Sequence, residues 1–544
     1  MFTKALISVY DKRGLVKLAK FFKSKNIEIL SSTGTANLLN SNNIKCTEIS
    51  DYINHPEILD GRVKTLHPKI YGGILNNSDN PKHNEELVKN NIENIDIVVV
   101  NLYPFEEYNS IENIDIGGVS LIRATAKNYE NKLVITNTED YDFVINTFNK
   151  LECTDNSSIR KRFAAKAFHY IAKYDILIAN FLDESNNDIE YKIYKKEHEM
   201  KYGCNPYQQN SNIYSDILNK SSQNKSLPFE ILNGKPGYIN YLDAINSWGL
   251  VNESSNVLGI PVSTSFKHTS PAGVGSSVSL TNELKNIYGV ENKELSDVAI
   301  SYVRAKNSDP LSSFGDFIAI SHIVDKCTAE LIKKDVSDGI IASGYTDEAI
   351  EILKKKKKGN FIILLADKKY NNSTLIEFRE INGIVLSQNT NNIKIDANVF
   401  KNDNIVTNNN NLDISIINDM ILANITLKYT PSNSITFAYN GQVIGIGAGQ
   451  QNRVDCVKIA GRKVHNWLLR QNKNKLSKDK LEYPDMIMAS DAFFPFKDNI
   501  EVAKEFGVKY ITQPGGSIRD KEVIDECNKH NILMLNTGIR LFTH

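Results

Sequence analysis

The chain has 544 residues, 41% hydrophobic and 24% charged, too long for one hydrophobic core and ordinary for a soluble protein of two to four domains. Lys+Arg and Asp+Glu both number 64, which excludes a global basic field directed at nucleic acid and leaves only local anion sites. Cys46, Cys153, Cys204, Cys327, Cys456 and Cys527 are scattered without a CxxC pair, which argues against a disulfide framework or zinc cluster. No apolar run of about 20 residues and no signal-like start occurs, so the expected address is the cytosol, without membrane insertion.

Lys4 to Val9 predicts a short buried strand, followed by the Asp11-Lys12-Arg13-Gly14 turn and a helix with Leu15, Leu18, Ala19 and Phe22 on one stripe. A second strand over 27–30 ends in Ser31-Ser32-Thr33-Gly34-Thr35. Strand, polar loop, helix offers N–H groups and hydroxyls to a phosphate, although many such loops bind nothing. In Gly61-Arg62-Val63-Lys64-Thr65-Leu66-His67-Pro68 an extended segment would point the two cations the same way; a solvated edge strand would look similar. Asp96 to Val100 reads as a strand buried on both faces, ending at Asn101-Leu102-Tyr103-Pro104-Phe105, where α/β folds bind ligands. Ile114-Asp115-Ile116-Gly117-Gly118-Val119 follows, then a helical segment carrying Lys127 toward the same crevice, and a last strand over 133–136. Residues 160–182 predict a long amphipathic helix with Phe163, Ala167, Tyr170 and Tyr174 near one face. Polar residues 186–200 read as a linker, with a domain boundary near 195.

The second part contains Lys201-Tyr202-Gly203 and then Ser265-Phe266-Lys267-His268-Thr269-Ser270-Pro271-Ala272-Gly273-Val274-Gly275. Adjacent Lys and His suit a proton transfer beside a developing anion. The same pair at any strand end can be one solvated and one packed side chain. The Pro-Ala-Gly-x-Gly that follows predicts a turn, unable to continue a helix or a central strand. Ser312 to Phe317 and Val336 to Ile341 read as small-residue binding loops, and Lys354 to Lys358 as a solvated helix end. The Asn-dense stretch 371–411 predicts loops with short strands, and a new core begins at Ile416. The glycines of 441–451 do not form the dinucleotide fingerprint, and 470–484 predicts a loop. Ser490 to Asp498, Gln513 to Ser517 and Asn536 to Phe542 follow; aromatics around a single Asp suit a flat heterocycle that presents N–H donors.

In order and spacing these motifs resemble the bifunctional purine-biosynthesis family that joins an IMP cyclohydrolase domain to an AICAR transformylase region, from Ile7 to the chain end. The resemblance implies an α/β protein with a methylglyoxal-synthase-like domain over 1–195. Two cytidine-deaminase-like halves would follow over 196–370 and 416–544, joined by an Asn-rich segment over 371–415. It implies transfer of the formyl group of 10-formyltetrahydrofolate, a co-substrate, to the 5-amino group of AICAR, then ring closure of formyl-AICAR to IMP. His268 matches the family's proton acceptor and Lys267 its transition-state stabiliser. AICAR contacts carry over to Lys201, Tyr202, Gly315, Asp338, Asn433, Arg453 and Arg540, and folate contacts to Val454, Phe493, Asp498, Ser517 and Ile518. On the cyclohydrolase side Lys127 matches the acid/base, with Asp115 as its partner at the reacting amide and Tyr103 beside them. Nucleotide contacts there are Asp11, Lys12, Ser32, Thr33, Gly34, Thr35, Arg62, Val63, Lys64, Thr65, Asn101 and Ile116. The two H-x-E triplets, His55-Pro56-Glu57 and His83-Asn84-Glu85, lie in the wrong domain and no P-C-x-x-C exists, so no catalytic metal is expected; the resemblance leaves room for a structural monovalent cation. It also implies a homodimer with transformylase sites built from both subunits.

Four departures bear on affinity. Lys201 stands where the family has Arg, which replaces a bidentate fork by a point charge. Tyr10 replaces a small hydroxyl residue, Pro431 a polar one, and the 470–484 loop is short. Two other readings fit parts of the chain: a nucleotide-binding regulatory protein without turnover, and a triose-phosphate lyase of the first domain's fold.

Overall fold

In the computed structural model the described residues are 2–59, 61–152, 157–183, 189–218, 227–368, 376–410, 412–471 and 483–544. They group into two compact units, Met1–Ile193 and Tyr194–His544. Cys153 and the greater part of the expected 470–484 loop lie outside the described residues, as do 186–188, 371–375 and 411.

Apolar runs set the frame of the first unit. β1 (Lys4–Val9), β2 (Glu28–Ser31), β3 (Thr47–Glu48), β4 (Ile97–Asn101) and β5 (Leu133–Ile135) form a parallel sheet in the order β3-β2-β1-β4-β5. Ile97 to Val100 are fully buried, as expected of a strand covered by helices on both faces. The Leu15–Ser24 helix buries Leu15, Leu18, Ala19 and Phe22, one helical stripe. Strand order reverses between β1 and β4, and the carboxyl ends open a crevice there. The Ser157–Leu182 helix buries Phe163, Ala167 and Tyr174.

The polar stretch expected to be a linker is in part a strand. β6 (Tyr194–Glu199) pairs antiparallel with β7 (Asn212–Asp216), and the backbone ladder holds residues whose polarity alone suggested coil.

The second unit is built on one mixed sheet of eleven strands. Its members are β8 (Phe229–Asn233), β9 (Val262–Lys267), β10 (Ser270–Ser276), β11 (Asp316–Val324), β12 (Ser337–Tyr345) and β13 (Ile362–Ala366), then β16 (Ile435–Tyr439), β17 (Gln442–Gly447), β18 (Met486–Ser490), β19 (Val508–Gln513) and β20 (Leu533–Asn536). β14 (Ile376–Ile381) and β15 (Ile384–Asn389) form a separate exposed hairpin. The sheet order is β20-β19-β18-β16-β17-β10-β9-β11-β12-β13-β8. Read outward from the β10–β17 pair, both directions repeat one plan: helix, two-residue hairpin, helix, then three parallel strands alternating with helices. The Asn-rich stretch returns past β20, where Ile405 bridges Leu535 and the Val406 N–H donates to the Met534 carbonyl (3.0 Å).

The Pro-Ala-Gly-x-Gly stretch is not a turn. Ser270–Ser276 is β10, a buried strand at the centre of this sheet. Pro271 is accommodated beside a register shift between Pro271 and Gly273, where a missing N–H is tolerated. A Cβ on Gly273 or Gly275 would come within 2.4 Å of the Asp297–Ser308 helix, and one on Gly445 or Gly447 within 2.4 and 2.2 Å of the Arg453–Gln471 helix. These glycines let a helix settle directly onto the strand pair.

Two further expectations are corrected. Val336 to Ile341 mostly forms the start of β12 rather than a loop. The lysine run is not simply solvated: Lys356 is half-buried over the Phe361 ring (5.4 Å) and donates to the Asp335 carbonyl, while Lys357 pairs with Asp338. Burial lowers the Lys356 pKa.

Candidate active site

In the first unit the carboxyl ends of β1, β2 and β4 collect most of the expected residues. Asn101 closes the crevice floor: its Oδ1 accepts the Tyr10 and Asp11 N–H groups (2.7 and 2.8 Å) and its Nδ2 donates to the Asp11 carbonyl (2.9 Å). Asp11 is held by Arg13, whose Nη2 lies 2.6 Å from Oδ2, and those hydrogen bonds keep its carboxyl below the usual range. Lys12 beside it is exposed. The Thr33–Ser41 helix starts at the end of β2 with Ser32 and Thr35 buried at its base. The Thr33 hydroxyl lies 3.0 and 3.1 Å from carboxylate oxygens of Glu48 and Glu57, so an anion here would meet the helix's first N–H groups rather than that side chain. Space beside Gly34 is clear, since an added Cβ would meet nothing within 4 Å. Tyr10, one of the departures, packs on Tyr103 with ring centroids 5.1 Å apart.

Arg62 and Lys64 do not lie on an extended strand pointing one way. The segment turns at Gly61 and Arg62, Val63 bridges back to Ile58, and exposed Arg62 pairs with Glu112. Lys64 is half-buried and acts electrostatically on Asp115. Thr65 is buried against the start of the Gly117–Lys127 helix, where a Cβ on Gly117 would come 2.6 Å from its hydroxyl. Asp115 accepts the Gly118 N–H at 2.6 Å, and burial pushes its carboxyl above the usual range, against the pull of Gly118 and Lys64. Ile116 beside it is 60% exposed, facing open space.

Lys127 is elsewhere. Asp115 precedes the first turn of the Gly117–Lys127 helix and Lys127 ends it, so the rise of eleven residues separates them by about 16 Å along the axis. Lys127 is exposed and lines a separate groove of about 700 Å³ with Tyr71, Ser120, Arg123, Lys161 and Phe168. Within this chain it is not the partner of Asp115; Lys64 is the cation brought there. Helical spacing that fixes Asp115 at one end fixes Lys127 at the other.

Gly118→Ala tests the crevice. A methyl there would lie 2.7 Å from Asp115 Oδ2 and 2.8 Å from Leu102 Cδ2, displacing the carboxylate. IMP formation from supplied formyl-AICAR is expected to fall by about 10²-fold with formyl transfer kept; full cyclisation would refute the assignment of Asp115.

In the second unit a cavity of about 150 Å³ is lined by Tyr202, Asn240, Asp243, Lys267, His268, Gly315, Phe317 and Asp338. It sits at the β9–β10 turn and the amino ends of β11 and β12, unlike the crevice of the first unit. Lys267 Nζ donates to the Phe314 carbonyl (2.7 Å). The Phe314 loop is fixed from below: half-buried Lys306 bonds Asp316 Oδ1 (2.7 Å) and the Ser313 carbonyl (2.5 Å), and Ser265 donates to Asp316 Oδ2 (2.6 Å). His268 is exposed at φ 52° and Thr269 follows at φ 58°, a left-handed pair costing about 1–2 kcal/mol per residue. Strain of that kind concentrates at functional sites. Tyr202 donates to Asn240 Oδ1 (3.1 Å), and a Cβ on Gly237 would strike its ring at 2.2 Å. Lys201 is exposed with Nζ 6.0 Å from that ring's centre. Asp338 is paired with Lys357.

The remaining expected residues belong to the second half. Arg453 is buried; its Nη2 lies 2.8 Å from both Asp491 Oδ1 and Asn433 Oδ1, while its Nε has no partner. Phe493, Ile518 and Arg540 are exposed, and Val454, Asp498 and Ser517 half-buried. Pro431 precedes this group, its carbonyl accepting the Gly449 N–H (2.9 Å). Because β10 runs antiparallel to β17, the Lys267-His268 turn and the loop after β17 that leads to Arg453 open on the same edge of the sheet.

Sequence reasoning missed Asn240 and Asp243. The available signal was two polar residues at i and i+3 on the buried face of the Tyr238–Leu258 helix, each about 5% exposed (5% and 6%), which need partners in a core.

Two α/β units, one with a helix start and cations at parallel strand ends and one with Lys-His on a strained hairpin, define an enzyme with two sites for anionic small molecules. An AICARFT/IMPCHase bienzyme family model matches residues 125–463, and an MGS-like domain model matches 14–130. The bifunctional purine biosynthesis protein PurH of Clostridium perfringens (strain SM101 / Type A) is 37% identical over 553 residues, covering 99% of each chain. PurH of Fusobacterium nucleatum subsp. nucleatum is 37% identical over 551 residues with the same coverage. A crystal structure of ForH aligns with 33% of this chain and 99% of its own at 28% identity and TM-score 0.31. The chain belongs to the AICARFT/IMPCHase bienzyme family: a purine-biosynthesis enzyme with AICAR formyltransferase and IMP cyclohydrolase activities, its first unit MGS-like. These matches do not support the regulatory reading, and they run far beyond the single domain of a lyase.

Proposed function

We propose that Lys267 and His268 carry formyl transfer in the second unit, and that Asp115 with Lys64 carries ring closure in the first. The observation behind the first assignment is the Lys-His pair on a left-handed turn at the mouth of a cavity. The AICAR 5-amino nitrogen attacks the formyl carbon of 10-formyltetrahydrofolate. His268 takes the amine proton while Lys267 Nζ, swinging from the Phe314 carbonyl, steadies the oxyanion. The bond from the formyl carbon to N10 then breaks, and tetrahydrofolate leaves with a proton restored to N10. In the first unit the carboxamide nitrogen of formyl-AICAR attacks the formyl carbon and water departs. Asp115, its carboxyl raised by burial, suits proton exchange at that amide, and the helix start at Thr33 suits the phosphate.

AICAR would rest on Tyr202, Asn240 and Asp338, with Lys201, Asn433, Arg453 and Arg540 supplying further polar contacts. The folate would lie along Val454, Phe493, Asp498, Ser517 and Ile518. The boundaries near 195, 370 and 415 belong to the same reading, as does the likeness of the two halves to cytidine deaminases, which the duplicated helix–hairpin–helix plan supports. So does a homodimer: Leu311, Phe314 and Ile518 stand exposed in segments carrying site residues, apolar surface that a partner subunit would cover. Among the described residues no helix is long and apolar enough to cross a membrane, in keeping with a cytosolic setting. The test is a purified-protein assay with AICAR and 10-formyltetrahydrofolate, following tetrahydrofolate and IMP. Tetrahydrofolate release with formyl-AICAR accumulating would leave only the second unit active; no tetrahydrofolate would end the transformylase assignment.

A further inference from the structure

The turn that carries His268 has a twin in the same sheet. β9–β10 and β16–β17 are corresponding hairpins of the two halves, each closed by two residues between the pairs Lys267–Ser270 and Tyr439–Gln442. All four turn residues have positive φ: 52° and 58° at His268 and Thr269, 48° and 76° at Asn440 and Gly441. Asn-Gly is the sequence this turn favours; an imidazole followed by a β-branched residue is not. Both turns are nevertheless held in the same way. The Tyr238–Leu258 and Ile414–Lys428 helices precede their hairpins, and each has an aspartate at its sixth residue. Asp419 Oδ1 accepts the Gly441 N–H at 2.6 Å, and Asp243 Oδ1 accepts the Thr269 N–H at 2.7 Å. Each aspartate is 6% exposed.

We propose that Asp243 is a positioning residue for formyl transfer, clamping the left-handed His268-Thr269 turn through its backbone and so fixing where the imidazole stands. The proposal rests on the functional reading above. In the second half the anchor secures a turn that its own sequence already favours. In the first half the anchor is what allows a functional side chain to occupy a position that sequence preference would give to Asn-Gly. Burial raises the Asp243 carboxyl, while the Thr269 N–H, the His268 imidazole and the His268 N–H pull it down, consistent with a carboxylate facing the turn.

The full-length enzyme would be assayed for formyl transfer, with kcat and KM for AICAR measured separately and tryptophan fluorescence following the fold of the second unit. Asp243→Ala is expected to lower kcat by about 10²-fold, the cost of a displaced reacting group, with KM little changed. Asp243→Asn keeps the acceptor and is expected to stay within about threefold of wild type, since a neutral oxygen still takes the N–H. Adding Thr269→Gly to Asp243→Ala is expected to recover at least about tenfold, because glycine adopts positive φ unaided. Asp419→Ala, which removes the twin anchor from an Asn-Gly turn, is expected to leave transfer within about threefold. A raised KM with unchanged kcat would make Asp243 a substrate contact and overturn the proposal. Equal losses in Asp243→Asn and Asp243→Ala, or no recovery with Thr269→Gly, would overturn it too. Absence of transfer in the wild type would sink the functional reading itself, whereas an active wild type with an unimpaired Asp243→Ala sinks this proposal alone.

Discussion

His268→Ala is expected to lower formyl transfer by about 10²–10⁴-fold, the usual worth of a positioned proton acceptor, while IMP formation from supplied formyl-AICAR stays at the wild-type rate. The aniline-like weakness of the AICAR amine makes the proton acceptor indispensable: until its proton departs, the nitrogen that attacks the formyl carbon carries positive charge and is readily expelled. The imidazole is exposed, so its removal opens no cavity and the fold should be indifferent. On the proposed assignment cyclisation belongs to the first compact unit, whose crevice contains none of the residues around His268. Rates of the two half-reactions measured on one preparation decide the matter. A parallel fall in both would mean that His268 serves the fold or that the two sites are not separate.

Lys306→Met is expected to destabilise the second unit by about 3–5 kcal/mol, because removing one member of a buried ion pair strands the other. The Lys306 side chain is 12% exposed and that of Asp316 is 0%. Methionine keeps the stem and discards the charge, so the loss is electrostatic rather than steric. Asp316 would retain the Ser265 hydroxyl, but the Ser313 carbonyl would lose its ammonium donor. Formyl transfer should fall as well, since the Phe314 carbonyl that receives Lys267 Nζ belongs to the loop this pair holds. Trp248 and Trp467, the protein's two tryptophans, both lie in the second unit, so their fluorescence through a urea titration reports its unfolding. An unchanged midpoint would show that solvent or another cation compensates Asp316.

Some of this architecture was legible in the chain and some was not, for identifiable reasons. β1 and β4 could be read directly because parallel strands buried on both faces are continuous apolar runs, as Ile97 to Val100 are. The Leu15–Ser24 stripe was equally plain. β10 was misread because proline and glycine normally punctuate structure. Here Gly273 and Gly275 answer a contact with a helix some 30 residues further along, which no local pattern reveals. The Lys267-His268 pair could be found from side-chain chemistry alone, but not its φ values, nor Asp243, whose partner lies 26 residues away in sequence. Lys127 and Asp115 show the converse: both were singled out, yet the helix between them holds them apart.

The asparagine-rich stretch has a consequence for how the enzyme survives in a crowded solution. β20 is the terminal strand of the eleven, its Leu533, Met534 and Leu535 all buried, and an open apolar strand of that kind would template the pairing of a second molecule. Ile405 to Asn408 occupy that margin: beside the Val406 bond to Met534, Thr407 Oγ1 accepts the Met534 N–H at 2.9 Å and Asn528 Oδ1 accepts the Asn408 N–H at 2.8 Å. At the opposite margin β8 lies antiparallel against β13. A segment whose composition suggested mere connection thus acts as a selvedge along β20, covering the edge on which a second molecule would otherwise pair.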